Sequence, residues 1–171
     1  ELLVRWFEYG TFCPVMRLHG YRWPLQPQYG TTGGATCVSG APNEVWSYTD
    51  QVCEILSDYL RLRERMLPYI TELMEEAHEK GTPVMRPLFY DFPEDKESWN
   101  VETEYMFGPK VLVKPITDAD ARETDVYLPG GASWTNAWTG ETFEGGQKVH
   151  VAAPIEQIPL FTRDGYKLPM K

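Results

Sequence analysis

The chain has 171 residues, of which 42% are hydrophobic and 13% aromatic, a composition typical of a folded globular protein and not of a disordered tail. Its net charge of -9 at pH 7 argues against nucleic acid and against an anionic membrane as partners, because both bind basic surfaces. The acidic charge therefore favours a neutral ligand. No apolar run approaches the roughly 20 residues that span a bilayer.

A helix is the first element that the sequence predicts. Four apolar residues recur at a spacing of three to four and so share one helical face: Leu2, Leu3, Trp6 and Phe7. Gly10 suits the left-handed position that ends a helix. The chain begins without a methionine, already inside this pattern, and contains one clear α/β unit. Because a parallel sheet needs several neighbouring strands, we expect this first part to be the end of a larger domain.

A short apolar run follows, predicted to be a strand over residues 12–16. Polar side chains come directly after it, at Arg17, His19 and Arg22. In α/β folds, ligands bind beyond the carboxyl ends of parallel strands, where side chains from several strand ends converge. His19 is therefore the first functional candidate.

The next segment, up to residue 42, is rich in Gly, Thr, Pro and Gln and longer than most connections between elements, as functional loops often are. Trp23 and Tyr29 in this loop are candidates for stacking on a sugar ring. Aromatic side chains more often pack a loop against its neighbours, and that alternative stays open.

A long helix is predicted from about residue 47 to residue 80, where apolar residues recur at helical spacing. Ser47 or Thr49 is suited to cap its start, and Gly81 fits the position just past its end. Pro68 lies inside the pattern and predicts a kink or a break. We expect the charged face of the helix, which includes Arg63, to contain ordinary solvated or i,i+4 paired residues.

Beyond Gly81, the sequence changes to short runs rich in Val, Ile, Thr and aromatic residues, separated by Gly-Gly, Pro-Gly and Asp-Gly turns. This pattern predicts an all-β sandwich. The expected domains are residues 1–80 and 81–171, with the boundary between about 81 and 103. His150 alternates with valines and is predicted to face solvent without a functional role.

The three cysteines, Cys13, Cys37 and Cys53, are widely spaced and fit neither a disulfide framework nor a zinc site. We interpret them as buried free thiols, with Cys13 in the predicted strand. The absence of a disulfide pattern favours a cytoplasmic location.

Several stretches in collinear order resemble glycoside hydrolase family 31, the α-glucosidase and α-xylosidase family. They are ELLVRWFEYGTFCPVMRLHG, RLRERMLPYITELMEEAHEKGTPVMRPLFYDFP, EYMFGPKVLVKPI, WTGETFEGG and APIEQIPLFTRDG. The resemblance implies an α/β part followed by an all-β part. The first is the end of a TIM (β/α)8 barrel, with its last strand ending at residues 17–19 and a long closing helix; the second is an antiparallel β-sandwich. No metal or organic cofactor is implied.

The resemblance also implies a retaining mechanism with two catalytic aspartates, both on strands that this chain does not contain, so the isolated chain is expected to be inactive. His19 matches the family's histidine that hydrogen-bonds hydroxyls of the sugar at the cleaved position. Arg17 belongs to the same motif. Arg22, Trp23 and Gln26 lie where family members place substrate-selecting loop residues. The expected partners are a small oligosaccharide or glycoside and the rest of the barrel; a homo-oligomer stays open.

Two other interpretations stay open. The first is a noncatalytic carbohydrate-binding or interaction module in the β part, in which Trp134 and Trp138, four apart on one predicted strand face, form an exposed platform. The second is a transglycosylase or a lyase on the same fold, because the absent aspartates decide the outcome of the reaction. The sequence does not distinguish glucose from xylose or fix the linkage.

Overall fold

The computed structural model describes residues 1–18, 22–26 and 39–170. Within these residues the helices are α1 Leu2–Thr11, α2 Asp50–Arg65, α3 Leu67–Lys80 and α4 Leu88–Asp91, with short 3-10 helices at Val45–Ser47 and Lys96–Trp99. The strands are β1 Arg22–Gln26, β2 Ser39–Ala41, β3 Met85–Arg86, β4 Tyr105–Phe107, β5 Val111–Val113, β6 Glu123–Leu128, β7 Ser133–Asn136, β8 Thr142–Glu144, β9 Gln147–Ala152 and β10 Leu160–Arg163. We call residues 85–163 the β region.

Helix α1 forms as predicted, but its four predicted apolar residues are not buried alike. Leu2 and Trp6 are exposed to 72% and 61%, whereas Phe7 is buried and Leu3 packs partly buried against the core. The buried residues of the helix are Val4, Arg5, Phe7, Glu8 and Thr11. Three of these five are polar, and Arg5 and Glu8 also have partners in other elements, so the apolar periodicity of α1 alone does not identify its inner face.

The strand predicted over residues 12–16 is wrong. Helix α1 continues through Gly10, with Phe12 as its C-cap, and residues 12–18 form bends and coil; Cys13 lies in this coil. A strand needs a neighbouring strand to accept and donate its hydrogen bonds. No described strand pairs with this segment, and side chains from other elements bond to its carbonyl groups instead.

The long predicted helix is broken near Pro68. Helix α2 ends at Arg65 and α3 begins at Leu67, with the proline in the first turn of α3, where a missing N–H leaves no helical hydrogen bond unmade. Thr49 caps α2 by accepting a hydrogen bond from the backbone N–H of Val52 at 3.4 Å. Gly81 ends α3 at φ 70°, in the left-handed region.

All strand pairs within the described residues are antiparallel, as the sequence predicts for the β region. A six-stranded sheet has the order β3-β4-β5-β10-β7-β8, and β6 pairs with β9 in a separate two-stranded sheet. Strands β1 and β2 pair with each other, with Arg22 opposite Ala41. His150 on β9 faces solvent, as predicted, and its Nδ1 lies 2.7 Å from Asp125 Oδ1 on β6, which raises the pKa of the histidine.

The six-stranded sheet is the middle layer of the molecule, because side chains alternate between its two faces. Phe107 and Val111 pack with the residues of α1, α2 and α3 in one core. Met106 and Leu112, one position along each strand, pack with buried residues of β6 and β9 in a second core. The two sheets therefore enclose one core as a sandwich, and helices α1, α2 and α3 cover the outer face of the larger sheet.

The tryptophan platform considered from the sequence is wrong. Trp134 is fully buried in the second core, and its indole N–H donates to the Pro129 carbonyl at 2.9 Å. Trp138 lies past the end of β7, half-buried against the helix-side core, and donates to the Ile158 carbonyl at 2.7 Å. Trp134 therefore cannot contribute to an exposed platform, and both indole N–H groups are used inside the molecule.

Cys13 and Cys53 carry free thiols that are half-buried, and Cys37 lies outside the described residues. Burial raises the pKa of the Cys13 thiol, whose Sγ donates to the Tyr9 carbonyl at 3.4 Å. A protonated, hydrogen-bonded thiol is a packing group and a poor nucleophile. Among the described residues, no helix combines the length and the apolar composition needed to cross a membrane.

Candidate functional site

The candidate site lies at the end of the segment of residues 12–18, which leads from α1 to His19. His19 itself falls outside the described residues. Arg17 is exposed near the end of the segment, Trp23 on β1 is exposed to 78%, and Arg22 and Gln26 begin and end that strand. Arg17 and Trp23 therefore both lie at the surface, and the grouping of the predicted residues into one site stays a prediction.

Arg63 of α2 holds the backbone of this segment. One guanidinium nitrogen, Nη1, donates to the carbonyl oxygens of Thr11 at 2.7 Å and Cys13 at 2.8 Å, and Nη2 donates to that of Pro14 at 3.0 Å. The expectation that Arg63 is an ordinary solvated or i,i+4 paired residue is wrong, because its half-buried fork satisfies three carbonyl groups that have no sheet partner. The guanidinium therefore supplies the hydrogen-bond donors that a neighbouring strand would supply in a sheet.

Tyr105 of β4 holds the same segment from the β region. Its hydroxyl donates to the Phe12 carbonyl at 3.0 Å, and its ring meets the Tyr9 ring edge-on at 5.9 Å between centroids. The Phe12 side chain is fully buried and meets Phe107 edge-on at 6.2 Å. Since α2 and β4 both bond to the start of the segment, its path toward His19 is set by the two layers together.

A second anchor joins α1 to the β region through Arg5. Its guanidinium donates to four backbone carbonyls of the β region, at distances from 2.7 to 3.4 Å: Ala121, Ala153, Pro154 and Gln157. It also forms an ion pair with Glu8 at 3.0 Å, with both side chains almost completely buried. We call Arg5, Glu8 and Tyr59 the inter-layer network.

Tyr59 of α2 completes this network. Its hydroxyl lies 3.2 Å from Glu8 Oε1 and 3.1 Å from the Glu156 carbonyl, so its single proton serves one acceptor at a time, and it accepts from the Ile158 N–H at 3.0 Å. Burial raises the pKa of Glu8 to about 7, and Arg5 and Tyr59 oppose that shift. The network thus orients α1, and through α1 the segment of residues 12–18.

The described part of the site is a scaffold for side chains that follow Leu18. Its polar groups donate to backbone carbonyls, and within the described residues no cluster of three or more His, Cys, Asp or Glu side chains could hold a metal ion. The sequence analysis missed Arg63, Tyr105 and the inter-layer network. The only local sequence signal for any of these residues is the pair of charged side chains Arg5 and Glu8, which lie one turn apart in a helix rich in apolar residues.

An apolar surface flanks the segment. Val15 and Leu18 are exposed to 76% and 42%, and a cavity of about 280 Å³ lies between α1 and the segment, with Trp6, Met16 and Arg17 in its lining. A larger cavity, about 630 Å³, lies beside α2 and Trp138 and is lined by none of the predicted site residues. The surface next to the predicted site is therefore unusually apolar for a region exposed to solvent.

Comparisons with known proteins identify the relatives of the chain. Residues 1–73 match the model of the "Glycosyl hydrolases family 31 TIM-barrel domain", and residues 81–168 match that of the "Glycosyl hydrolase family 31 C-terminal domain". The chain is 37% identical to "Alpha-xylosidase" of Saccharolobus solfataricus over 99% of its own length and 21% of that protein. It is 36% identical to "Alpha-glucosidase 2" of Bacillus thermoamyloliquefaciens, covering 96% of the chain and 19% of that protein.

Solved structures give the same result. The chain matches the crystal structure of a GH31 alpha-xylosidase from a soil metagenome, complexed with xylose, with a TM-score of 0.91 and 46% identity over 98% of this chain and 25% of that one. A xylosidase from Aspergillus niger matches with a TM-score of 0.82 and 36% identity over 96% of this chain and 24% of that one. The chain spans about a fifth to a quarter of the length of these relatives.

Proposed function

The chain belongs to glycoside hydrolase family 31, and from this premise we propose that it is the C-terminal segment of a retaining α-glycosidase acting on terminal α-linked xylose or glucose. The observation that carries the proposal is the match to an α-xylosidase complexed with xylose, with a TM-score of 0.91 and 46% identity. In this proposal the two catalytic aspartates belong to parts of the enzyme outside this chain.

The proposed place of the chain is the end of the TIM barrel followed by the β-sandwich. Helices α2 and α3 close the ring, and the segment of residues 12–18, which forms bends and coil, leads from α1 toward His19. The exposed apolar residues Leu2, Trp6, Val15 and Leu18 support this assignment, since a neighbouring part of the barrel would cover them. A domain boundary near Gly81 is supported by the two family matches, which meet between residues 73 and 81.

His19 is proposed to hydrogen-bond hydroxyl groups of the sugar at the cleaved position. A neutral imidazole offers one donor and one acceptor, and bonds to sugar hydroxyls strengthen as the transition state takes on oxocarbenium-ion character. The support is its place in the family motif, directly after a segment that Arg63 and Tyr105 hold in position. Arg17 is proposed to support this motif, and Arg22 and Trp23 to contact the substrate from the loop.

Xylose is proposed as the preferred sugar, because the relatives with the highest identity among those compared above are named α-xylosidases. Glucose is the second candidate, favoured by the 36% identity to an α-glucosidase. A transglycosylase or a lyase on the same fold stays an alternative, since reaction outcome depends on residues around the aspartates.

The test is hydrolysis of p-nitrophenyl α-xyloside and p-nitrophenyl α-glucoside by the complete enzyme that carries this chain. We expect release of nitrophenol and, by proton NMR, a first-formed sugar with the α configuration. Release of the β anomer first would contradict a retaining mechanism, and products other than the free sugar would favour the transglycosylase or lyase alternative. No turnover of either substrate would contradict the proposed function.

A further inference from the structure

We propose that Trp99, with Phe89 behind it, forms a carbohydrate-binding surface on the β region that takes an α-linked pyranose ring of a polysaccharide. This inference rests on the proposed function for the class of ligand, and it assigns the chain a second point of contact with a polymeric substrate.

The two rings form a near-parallel stack at the surface. The centroids of Phe89 and Trp99 are 4.5 Å apart, with an angle of 10° between the ring planes. Trp99 is nevertheless exposed to 58%. Because Phe89 covers one face of the indole, the exposed area lies on the opposite face and at the edges. A flat aromatic face of this kind matches the apolar C–H face of a sugar ring.

The indole is held in one orientation before any ligand arrives. Its N–H donates to the Pro93 carbonyl at 3.0 Å. The 3-10 helix that carries it is capped by Asp95, whose side chain accepts from the Glu97 N–H at 3.1 Å. The same carboxylate accepts from the Tyr127 hydroxyl and from the Gly130 N–H, each at 2.7 Å. A ring fixed in this way loses little conformational freedom on binding.

Exposed polar side chains lie on the 3-10 helix that carries Trp99, on the residue after it and on β9. The Asn100 amide donates to Glu97 Oε2 at 3.4 Å, and the Lys148 ammonium lies 3.7 Å from Glu97 Oε1. The Lys148 and Glu97 side chains are exposed to 63% and 43%. Each has further hydrogen-bonding capacity beyond these contacts, since an ammonium has three donors and a carboxylate about four acceptor positions. Donors and acceptors beside a stacking face are what the hydroxyl groups of a sugar require.

The stacked pair differs from the two tryptophans that the sequence predicts as a platform. Trp134 and Trp138 use their indole N–H groups inside the molecule, and Trp134 is fully buried. Trp46 is exposed to 73% on the short 3-10 helix before α2, and it serves as a matched control because it is an exposed tryptophan on a different element. The net charge of -9 argues against a nucleic acid base as the stacking partner.

The experiment is affinity electrophoresis of the complete enzyme through gels containing soluble starch, dextran or xyloglucan. We expect retardation in at least one polymer, weakened about tenfold in Trp99→Ala, because a sugar would lose its stacking face. Trp99→Tyr keeps an aromatic face and should retain most of the retardation, and Trp46→Ala should behave as wild type. Thermal melting of each variant checks that it is folded.

Two results would overturn the proposal: no retardation in any of the three polymers, or equal retardation of wild type and a folded Trp99→Ala variant. A change in oligomeric state on substitution of Trp99 would also overturn it, since the ring would then serve a protein contact. Hydrolysis of p-nitrophenyl α-xyloside should be unchanged in Trp99→Ala. If that substrate is not hydrolysed by wild type while Trp99-dependent retardation persists, the proposed function fails and the binding surface stands.

Discussion

Residues 1–18 and the β region differ in where their backbone polar groups find partners. In the β region, neighbouring strands bond to one another in two antiparallel sheets that enclose a core of their own. In residues 12–18, the carbonyl groups of Cys13 and Pro14 are bonded by Arg63, and that of Phe12 by Tyr105. Helix α1 depends in the same way on Arg5, which donates to four carbonyls of the β region.

The N-terminal region therefore takes its shape from side chains that are distant in sequence. A pair of antiparallel strands is predicted from alternating apolar and polar residues and from turn residues between the strands, and both are local features of the sequence. A guanidinium that bonds to carbonyls 50 residues away leaves no such signal. We predict that the N-terminal region depends on side chains of other elements, whereas the β region is stabilised by the pairing of its own strands.

The largest effect is expected from Arg5→Met. The substitution removes five hydrogen bonds and leaves Glu8 buried without its cation, which typically costs about 3 to 5 kcal/mol of unfolding free energy. Urea denaturation measures it. The control is Arg61→Met, whose exposed ion pair with Asp58 at 2.7 Å should contribute less than about 1 kcal/mol. Equal losses of unfolding free energy in the two variants would contradict a stabilising role for the inter-layer network.

A pH effect is expected from Glu104, a buried carboxyl of the β region that accepts from the Tyr127 N–H at 3.0 Å. Burial raises its pKa to about 7, above the ordinary 4.5. The folded state therefore holds a proton that the unfolded state releases, and the resulting stability is present below pH 4.5 and lost as pH rises to about 7. The loss is on the order of 3 kcal/mol.

Glu104→Gln checks this assignment, because the amide oxygen still accepts from Tyr127 but does not ionise. Unfolding free energies at pH 4.5, 6 and 7.5 should fall less steeply in the variant than in wild type. Glu8, whose pKa is also raised to about 7, leaves a residual slope of the same sign. Identical slopes in wild type and variant would show that Glu104 does not titrate in this range.

A smaller, local effect is expected from Arg63→Met. Loss of three hydrogen bonds at a half-buried position should cost about 2 kcal/mol, mostly as loosening of residues 12–18. Amide hydrogen exchange followed by mass spectrometry should show faster exchange in that segment and no change in the paired strands β6 and β9. Uniform acceleration across the chain would contradict the local role of Arg63.

The smallest effects are expected from two glycines with opposite roles. Gly81→Ala places a side chain at φ 70° and should destabilise by about 1 kcal/mol. Gly10→Ala lies inside α1, where the new methyl group meets Met16 Cγ at an ordinary 3.7 Å, and should stabilise by about 0.5 to 1 kcal/mol. Thermal melting of both variants measures the pair. Destabilisation by Gly10→Ala would contradict the helical conformation of Gly10 and favour the prediction that α1 ends at this residue.

The sequence predicts the elements whose signals are local. Thr49, Pro68 and Gly81 set the start, the break and the end of α2 and α3, and each acts through its own backbone or the adjacent turn. Turn dipeptides and β-branched runs predict the antiparallel β region. Family resemblance adds His19 and Arg17, which pattern alone identifies only as polar residues after an apolar run.

The remaining features depend on three-dimensional neighbours. The inner face of α1 follows from the partners of Arg5 and Glu8, and residues 12–16 lack a described strand to pair with. Trp134 and Trp138 share a spacing of four but leave the strand at different points, so one ring enters the core between the sheets and the other the helix-side core. Spacing alone does not distinguish an exposed platform from one buried and one half-buried packing residue.

The most direct test of the account is the kcat/KM of the complete enzyme for p-nitrophenyl α-xyloside in His19→Ala. Loss of a sugar contact made in the transition state should lower kcat/KM by about 100-fold or more, with the melting temperature preserved. The matched control is His78→Ala, an exposed histidine in the last turn of α3, which should leave kcat/KM unchanged. Unchanged kinetics in a folded His19→Ala variant would contradict a sugar site at the end of residues 12–18.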